Sequence, residues 1–462
     1  MRLKKIFPAF LLVFLLSCNF VTQAIYPPTA TLIPTATATL TASPTPTATA
    51  VPIVPAYIPQ ECASRPLATV APEALVVPTE ENQANAEISE SEQMGILQQV
   101  DEIVRKVYVY PDFNGKNWNE IEARYKSKVE AGLGADDFYM QMENMIEELG
   151  DEHSFFLSPL EVKKSEAELK GENDFVGIGV YTTPDVDRRR LVVISTFPGS
   201  AAAYAGIEPH DSILQVDGQP VIDENHNLLR GPACSAMMVT VQSPGEAARQ
   251  IMLVRHAIKG NLRIDARLVH TTDGSKIGYI FIPTFFDETI PRQVEDALNQ
   301  FGTLNGLILD LRMNGGGSST VANPILSFFT AGRLGQFVSR DESRPLGVDP
   351  DPIQNSQTVP MVVMVSQDTV SYGEIFAGIM RDSRHAKITG ETSLGNVEVL
   401  HGFNFDDGSQ LWLASERFFP AHSDENWEET GIVPDVQAYA PWDTFNFDND
   451  PSVAEAVKLL GH

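Results

Sequence analysis

Apolar residues begin to recur at helical spacing near residue 90, after a long stretch without such a pattern. Three stretches follow one another, Leu97 to Tyr108, Trp118 to Val129 and Phe138 to Leu149. Apolar residues three and four positions apart fall on one face of a helix, and Gly150 is a usual stop signal. The pattern therefore predicts three amphipathic helices in an N-terminal cap.

The pattern changes twice more along the chain. Residues 172–258 read as short strands and turns, whereas strands and helices alternate from residue 266 onward. Strands are predicted at 276–285, 306–312 and 360–366, with helices at 290–301 and from Ser371 onward. Alternating units of this kind indicate a buried sheet flanked by helices, and hence an α/β core.

The N-terminus has the pattern of an export signal. The basic residues "MRLKK" precede the apolar stretch "IFPAFLLVFLLSC", which is short for a membrane span. The "LLSC" stretch resembles a bacterial lipobox, in which Cys18 would be lipidated; a simple anchor helix and a cleaved signal are the alternatives. Residues 27–58 are dominated by Thr, Ala and Pro, which suits an extended tether. All three alternatives place the remainder outside the cytoplasm.

Composition narrows the classes of partner. The 462 residues carry a formal net charge of −28, so nucleic acid is an unsuitable partner, because phosphate binding needs a basic surface. Besides Cys18, the chain has Cys62 and Cys234, which could form one disulfide in an oxidising compartment. No metal or organic cofactor is implied by the sequence.

Residues 172–258 strongly resemble a PDZ domain of the bacterial protease type. The resemblance lies in the order of "FVGIGV", "PGSAAAYAGI" and "DSILQVDGQPV". It implies that backbone N–H groups of Gly177, Ile178 and Gly179 receive the terminal carboxylate of a peptide, which pairs with the adjacent strand edge. The alternative is a PDZ fold that serves only as a rigid spacer.

Two stretches of the α/β region carry candidate chemistry. "DLRMNGGGSS" (310–319) places three glycines between a strand and a helix, where backbone N–H groups could hold an oxyanion or phosphate. It lacks the lysine ending of a P-loop. "VSYGEIFAGIM" (370–380) places Ser371 at the start of a helix with Glu374 three residues later. That spacing also fits a capping box, in which Ser371 is only the N-cap.

The order of these motifs resembles the C-terminal processing (tail-specific) serine peptidases, from about residue 94 to 440. "LILDLRMNGGG", "MVVMVSQDTVSYGEIFAGIM", "ITGETSLGN" and "GIVPDV" carry the resemblance. It implies a crotonase-like spiral of strand–strand–helix units. The helical cap precedes this core in the sequence, and the PDZ domain is inserted between the two. The resemblance also implies that Ser371 is the nucleophile and that the N–H groups of Gly316 and Tyr372 form the oxyanion hole.

The chain departs from the commonest members of this family at the general base. They use a lysine where this chain has Asn396, and an asparagine does not accept a proton at ordinary pH. "DEHS" resembles a segment of the tricorn-type branches, in which a histidine from the cap is the base and a late carboxylate assists it. The resemblance implies His153 as base and Glu428 as its partner, with Glu429 as the alternative.

The predicted organisation is a signal peptide (1–18), a tether (19–89), a helical cap (90–165), a PDZ domain (166–264), a peptidase core (265–445) and a C-terminal tail (446–462). The resemblance implies a membrane-anchored extracytoplasmic endopeptidase that acts on polypeptides. The alternatives are a catalytically inactive peptide-binding scaffold and a hydrolase of small esters or amides.

Overall fold

The computed structural model describes residues 55–64, 68–69, 85–151, 153–169, 176–222, 228–258 and 260–462. The expected signal sequence, the lipidation site Cys18 and most of the tether lie outside these ranges. Within them, no helix is both long enough and apolar enough to cross a membrane.

A helical layer forms the first large unit, and it contains the three predicted helices. Its elements are α1 (Glu90–Val107), α2 (Trp118–Glu130), α3 (Ala135–Glu147), β2 (Phe155–Leu157) and α4 (Pro159–Leu169), whereas the preceding β1 (Ala68–Thr69) pairs with a strand of the second unit. The apolar faces of α1, α2 and α3 pack into one buried cluster, which also contains Leu411 and Leu413 from late in the chain. The cap is therefore packed onto the core through side chains remote in sequence.

The second unit is a small β-rich domain. Its elements are β3 (Val176–Gly177), β4 (Val180–Asp185), β5 (Arg190–Thr196), α5 (Ala201–Tyr204), β6 (Ser212–Val216), β7 (Gln219–Pro220), β8 (Ser235–Gln242), β9 (Arg249–Val254) and β10 (His256–Ala257). The main sheet has the order β1-β8-β6-β5-β4, with β7 on β6 and β9 on β8. A disulfide joins Cys62 to Cys234, so a segment within the predicted tether is covalently attached to this domain.

The third unit is the α/β core. Its elements are β11 (Asp265–His270), β12 (Lys276–Phe281), α6 (Ile290–Phe301), β13 (Gly306–Asp310), α7 (Ser319–Phe329), β14 (Gly332–Val338), β15 (Ser343–Val348), β16 (Met361–Val365), α8 (Tyr372–Arg384), β17 (Lys387–Gly390), β18 (Val399–Asn404), β19 (Gln410–Pro420), α9 (Trp427–Thr430), β20 (Val436–Gln437) and α10 (Pro451–Leu459). Short 3₁₀ turns occupy Gln60–Cys62, Phe113–Gly115, Trp442–Thr444 and Phe447–Asn449.

Two sheets build this core. The first has the order β11-β12-β13-β16-β17-β20 and is parallel except for β11. Strands β13 and β16 are buried along their whole length, as expected for a sheet covered on both faces. The predicted mixed α/β class is confirmed; β12 ends at Phe281, four residues before the predicted end.

The second sheet connects the core to the cap. It has the order β15-β14-β19-β18, and β2 of the cap pairs with β19. The Ala414 N–H of β19 also donates to Ser154 Oγ at 3.0 Å. These contacts hold the segment around residue 153 against core residues that are distant in sequence, such as Ala414.

Candidate active site

Ser371 lies in a tight turn between strand β16 and helix α8. Its backbone has φ 56° and ψ −123°, a conformation that costs about 1–3 kcal/mol for a residue other than glycine. The turn is held by Thr369 Oγ1, which donates to the Leu311 carbonyl at 2.8 Å, and by the Val370 N–H, which donates to the Asn314 carbonyl at 3.0 Å. An ordinary N-cap has an extended backbone, whereas a strained strand-to-helix turn is typical of a catalytic serine.

Glu374 organises the surroundings of this turn. Its carboxylate is fully buried and accepts the N–H groups of Ser371, Gly395 and Asn396 at 3.2, 2.7 and 2.8 Å, and the Ser393 hydroxyl at 2.6 Å. Burial raises the pKa of Glu374 to about 7, against the opposing effect of these hydrogen bonds. The bond from the Ser371 N–H to Glu374 belongs to the predicted capping box, so Ser371 is also the N-cap of α8.

The glycine triplet lies directly beside Ser371. A Cβ on Gly316 would lie 2.8 Å from Ser371 Cβ and 3.1 Å from the Tyr372 nitrogen, and Gly316 has φ 95°. Only glycine fits such a position. The Gly316 N–H donates to Asn314 Oδ1 at 2.9 Å, whereas the Tyr372 N–H has no acceptor among the described residues. Of the predicted oxyanion donors, Tyr372 is therefore unengaged and Gly316 is held by Asn314.

His153 is positioned by the segment that follows helix α3. Asp151 accepts the N–H groups of His153 and Ser154 at 3.0 and 2.9 Å and the Ser154 hydroxyl at 2.7 Å. Ser154 in turn bonds to β19, as described above. The imidazole is consequently buried, with only 5% of the residue exposed.

Two carboxylates converge on the His153 imidazole. Its Nε2 lies 3.3 Å from Glu428 Oε1 and 3.2 Å from Glu398 Oε2. Burial alone would lower the pKa of His153, but the hydrogen bond with Glu428 and the charges of Glu398 and Glu428 outweigh it and raise the pKa. Burial and the charge of Glu428 in turn raise the pKa of Glu398. The site therefore favours a proton shared between the imidazole and the carboxylates.

The serine and the histidine are connected through one peptide segment. The Asn396 N–H donates to Glu374, whereas the next N–H, that of Val397, donates to Glu428 Oε2 at 2.8 Å. Glu374 also accepts the Ser371 N–H, and Glu428 contacts His153. Across the described ranges, however, no hydrogen bond joins the hydroxyl of Ser371 to Nδ1 of His153.

The structure distinguishes Glu428 from its predicted alternative, Glu429, and shows the contacts of the nearby lysines and of Asn396. Glu428 contacts His153, whereas the neighbouring Glu429 is exposed. The lysines that flank the "TGET" motif are engaged elsewhere: Lys387 pairs with Asp435 at 3.3 Å and Lys458 with Glu455 at 2.9 Å. Asn396 is buried and bonds Glu374 through its backbone. The catalytic roles of these residues stay predictions.

The predicted peptide-binding loop lies between β3 and β4. The carbonyls of Ile178 and Gly179 accept the N–H groups of Ala202 and Phe197 at 2.9 and 3.0 Å. Gly179 has φ 80°, and a Cβ there would lie 2.2 Å from Ser200 Cβ. Gly177 pairs with His256 of β10. The carbonyls of the loop are thus turned inward, and its capture of a peptide carboxylate stays a prediction.

The sequence interpretation missed three residues of the site. Asn314 holds both the serine turn and the glycine triplet, Glu398 is the second carboxylate on His153, and the Tyr110 hydroxyl donates to Glu398. Glu398 offered one signal, since it is a charged residue in the otherwise apolar stretch 397–400. Asn314 and Tyr110 offered none, because their importance comes from contacts with distant segments.

Comparisons with known proteins agree with this architecture. The family model of peptidase family S41 matches residues 276–438, that of the tricorn protease C1 domain matches 89–147, and that of the PDZ domain matches 166–229. The solved structure of a photosystem II D1 C-terminal processing protease has the same fold, with a TM-score of 0.55, 24% identity and coverage of 81% of this chain and 98% of that one.

Curated relatives span all three units of the chain. The chloroplastic carboxyl-terminal-processing peptidase 2 of Arabidopsis thaliana is 30% identical over 351 residues, which cover 72% of this chain and 66% of that protein. A carboxyl-terminal-processing protease of Picosynechococcus sp. is 29% identical over 365 residues, 75% of this chain and 84% of its own length. The chain therefore belongs to peptidase family S41, together with the carboxyl-terminal-processing serine proteases.

Proposed function

We propose that this protein is an extracytoplasmic serine endopeptidase that cleaves unfolded or C-terminally recognised polypeptides through an acyl-enzyme at Ser371. The observation that carries this proposal is the strained backbone of Ser371 at the start of α8, with Gly316 packed against it. Ser371 Oγ attacks the peptide carbonyl, the leaving amine departs with a proton, and water then hydrolyses the ester.

His153 is the base of this mechanism and Glu428 its orienting partner. When Nε2 donates its hydrogen to Glu428, the lone pair lies on Nδ1, which can accept the Ser371 proton. Hydrogen bonds of this kind are often long in a substrate-free enzyme and tighten when the substrate binds. The Tyr372 N–H and the Gly316 N–H, once it is released from Asn314, would stabilise the oxyanion.

The proposed location rests on three features. The basic and apolar N-terminus ends at Cys18, the Thr/Pro-rich stretch follows it, and the Cys62–Cys234 disulfide suits an oxidising compartment. We expect Cys18 to be lipidated and the head to stand away from the membrane. Fractionation tests this location: the wild-type chain should sediment with membranes, and Cys18→Ala should release it or block its maturation.

The activity is tested with the full chain and an unfolded substrate such as casein. Wild type is compared with Ser371→Ala, His153→Ala and Asn396→Ala, and folding is checked by circular dichroism. We expect cleavage to vanish in the first two variants and to persist in Asn396→Ala. Cleavage that survives Ser371→Ala would overturn the assignment of the nucleophile.

The scaffold alternative follows from the missing lysine, and a second assay separates it from the enzyme. A fluorophosphonate probe reacts covalently with an activated serine, but not with a serine that only caps a helix. A scaffold would bind peptides, leave casein intact and take up no probe. Labelling that is lost in Ser371→Ala excludes this alternative.

A further inference from the structure

Three potential metal ligands meet next to the end of α3. Nε2 of His153, one oxygen of Glu398 and one oxygen of Glu428 all lie within 4.8 Å of one another. The imidazole nitrogen is 3.2 Å from the Glu398 oxygen and 3.3 Å from the Glu428 oxygen. In a tetrahedral zinc site with bonds of about 2.0–2.2 Å, neighbouring ligand atoms are roughly 3.3–3.6 Å apart. The two nitrogen–oxygen separations are therefore close to the edge length of such a site.

Other contacts hold each carboxylate in this orientation. The second oxygen of Glu398 accepts the Tyr110 hydroxyl, and the second oxygen of Glu428 accepts the Val397 N–H at 2.8 Å. Hydrogen bonds of this type orient the ligands in known metal sites. One oxygen of each glutamate is thereby left to point at the imidazole.

The Glu398 oxygen that points at the imidazole lies 3.2 Å from Nε2. It is buried without a hydrogen-bond partner in the described part of the chain, and the side chain is only 1% exposed. A buried carboxylate oxygen that accepts no hydrogen bond is unfavourable, and its one charged neighbour here is the His153 imidazole at 3.2 Å. A divalent cation would satisfy this oxygen and would also offset the two carboxylate charges that face a single imidazole.

We propose that His153, Glu398 and Glu428 form an inhibitory zinc site. One imidazole and two carboxylates form a zinc-type donor set with a fourth position open, whereas magnesium and calcium prefer oxygen ligands alone. Zinc takes the lone pair of Nε2, and the neutral imidazole then carries its remaining hydrogen on Nδ1. No ring nitrogen is left to accept the Ser371 proton. Binding to the protonated imidazole releases one proton to solvent.

The binding part of this proposal is tested without activity. The full chain is stripped with a chelator, dialysed against ZnCl₂, and its bound zinc is measured by mass spectrometry. We expect one zinc per chain, also in Ser371→Ala, and loss of this zinc in His153→Ala and Glu398→Gln. If Glu398→Gln does not fold, Tyr110→Phe keeps all three ligands and should weaken zinc binding by about 10-fold or more.

His401→Ala is the matched control. Its Nε2 lies 3.2 Å from Glu416 Oε2, but its side chain is 47% exposed and it lacks a second converging carboxylate in the described ranges. Zinc content should not change in this variant. The site is refuted if wild type retains no zinc at a small molar excess, or if His153→Ala and Glu398→Gln retain as much as wild type.

The inhibitory role rests on the proposed function and has its own readout. We expect zinc to block casein cleavage and EDTA to restore it. Full activity in zinc-loaded protein would overturn inhibition. If wild type cleaves nothing under any condition, the proposed function fails, whereas the zinc measurements still decide the site.

Discussion

Two glutamates hold the two sides of the candidate active site in different ways. Glu374 supports Ser371 and is fully buried, and both of its oxygens accept hydrogen bonds from the fold. Glu428 supports His153 from the four-residue helix α9 and commits only one oxygen to the backbone, at Val397. Its other oxygen faces the imidazole. The comparison teaches that burial and charge alone do not single out a candidate catalytic carboxylate, because Glu374 is buried and charged but both of its oxygens are bound by the fold.

Among the residues that support Ser371 and His153, the largest effect on activity is expected from Glu428, whose Oε1 faces the imidazole. Glu428→Gln keeps the shape and an acceptor for the Val397 N–H, but it removes the charge that stabilises the His153 imidazolium. We expect kcat on casein to fall roughly 10²- to 10⁴-fold, with an unchanged circular dichroism spectrum. Steady-state kinetics measure the loss.

Glu429→Gln is the control for this variant, because the exposed Glu429 differs from Glu428 by one position. It should behave like wild type. If the two variants lose activity equally, Glu428 has no special role and the assignment of the pair fails.

A somewhat smaller effect is expected from the glycine on the serine side. In Gly316→Ala, a methyl group would lie 2.8 Å from Ser371 Cβ and 2.9 Å from the Val370 carbonyl. The turn must shift, and the oxyanion donors shift with it. We expect kcat to fall about 10²- to 10³-fold, the usual effect of removing one oxyanion donor.

Fluorophosphonate labelling tests the cause of that loss. Gly332→Ala is the control, since Gly332 also has a positive φ but nothing lies within 4 Å of a Cβ there. Gly316→Ala should be labelled more slowly and Gly332→Ala at the wild-type rate. If both variants are labelled at the same rate, Gly316 is not needed for the reactivity of Ser371.

Glu374→Gln is expected to lower the free energy of unfolding more clearly than it lowers the rate of the reaction. A glutamine offers one acceptor oxygen in place of two, so at least one buried N–H or hydroxyl would lose its partner. The free energy of unfolding should fall by about 1–3 kcal/mol, measured by urea denaturation. Activity per folded molecule should fall less than in Glu428→Gln. The reverse order would make Glu374 the catalytic carboxylate.

The same contrast explains what the sequence could predict. The strand-to-helix turn at Ser371, the glycine triplet and helix α6 are local patterns, and their residues are neighbours in sequence. The pairing of Glu428 with His153 was predicted only from a family resemblance, because 275 residues separate them. Glu398 and Tyr110 were missed because 288 residues separate them. A periodic pattern of apolar residues along the chain does not indicate a contact over that distance. Asn314 was missed for a similar reason, because its role depends on how the Ser371 turn packs against it.

The smallest effect is a shift of the pH dependence. Burial lowers the pKa of His153, but Glu428 and Glu398 raise it by more than burial lowers it. The pKa of His153 therefore lies above the ordinary value of 6.5. A base must be unprotonated, so activity should fall as pH falls through this raised pKa. With EDTA present, the acid limb of kcat/KM should therefore have its midpoint above 6.5.

Glu398→Gln sharpens this prediction, because it removes one of the charges that raise the pKa and leaves Glu428 in contact with His153. Its acid limb should move to lower pH, while kcat at the optimum changes less than in Glu428→Gln. His401→Ala, at an exposed imidazole, should leave the limb unchanged. If the limb stays in place in Glu398→Gln but moves in His401→Ala, the titrating base is not His153, and the buried carboxylates on its Nε2 serve only to hold the cap against the core.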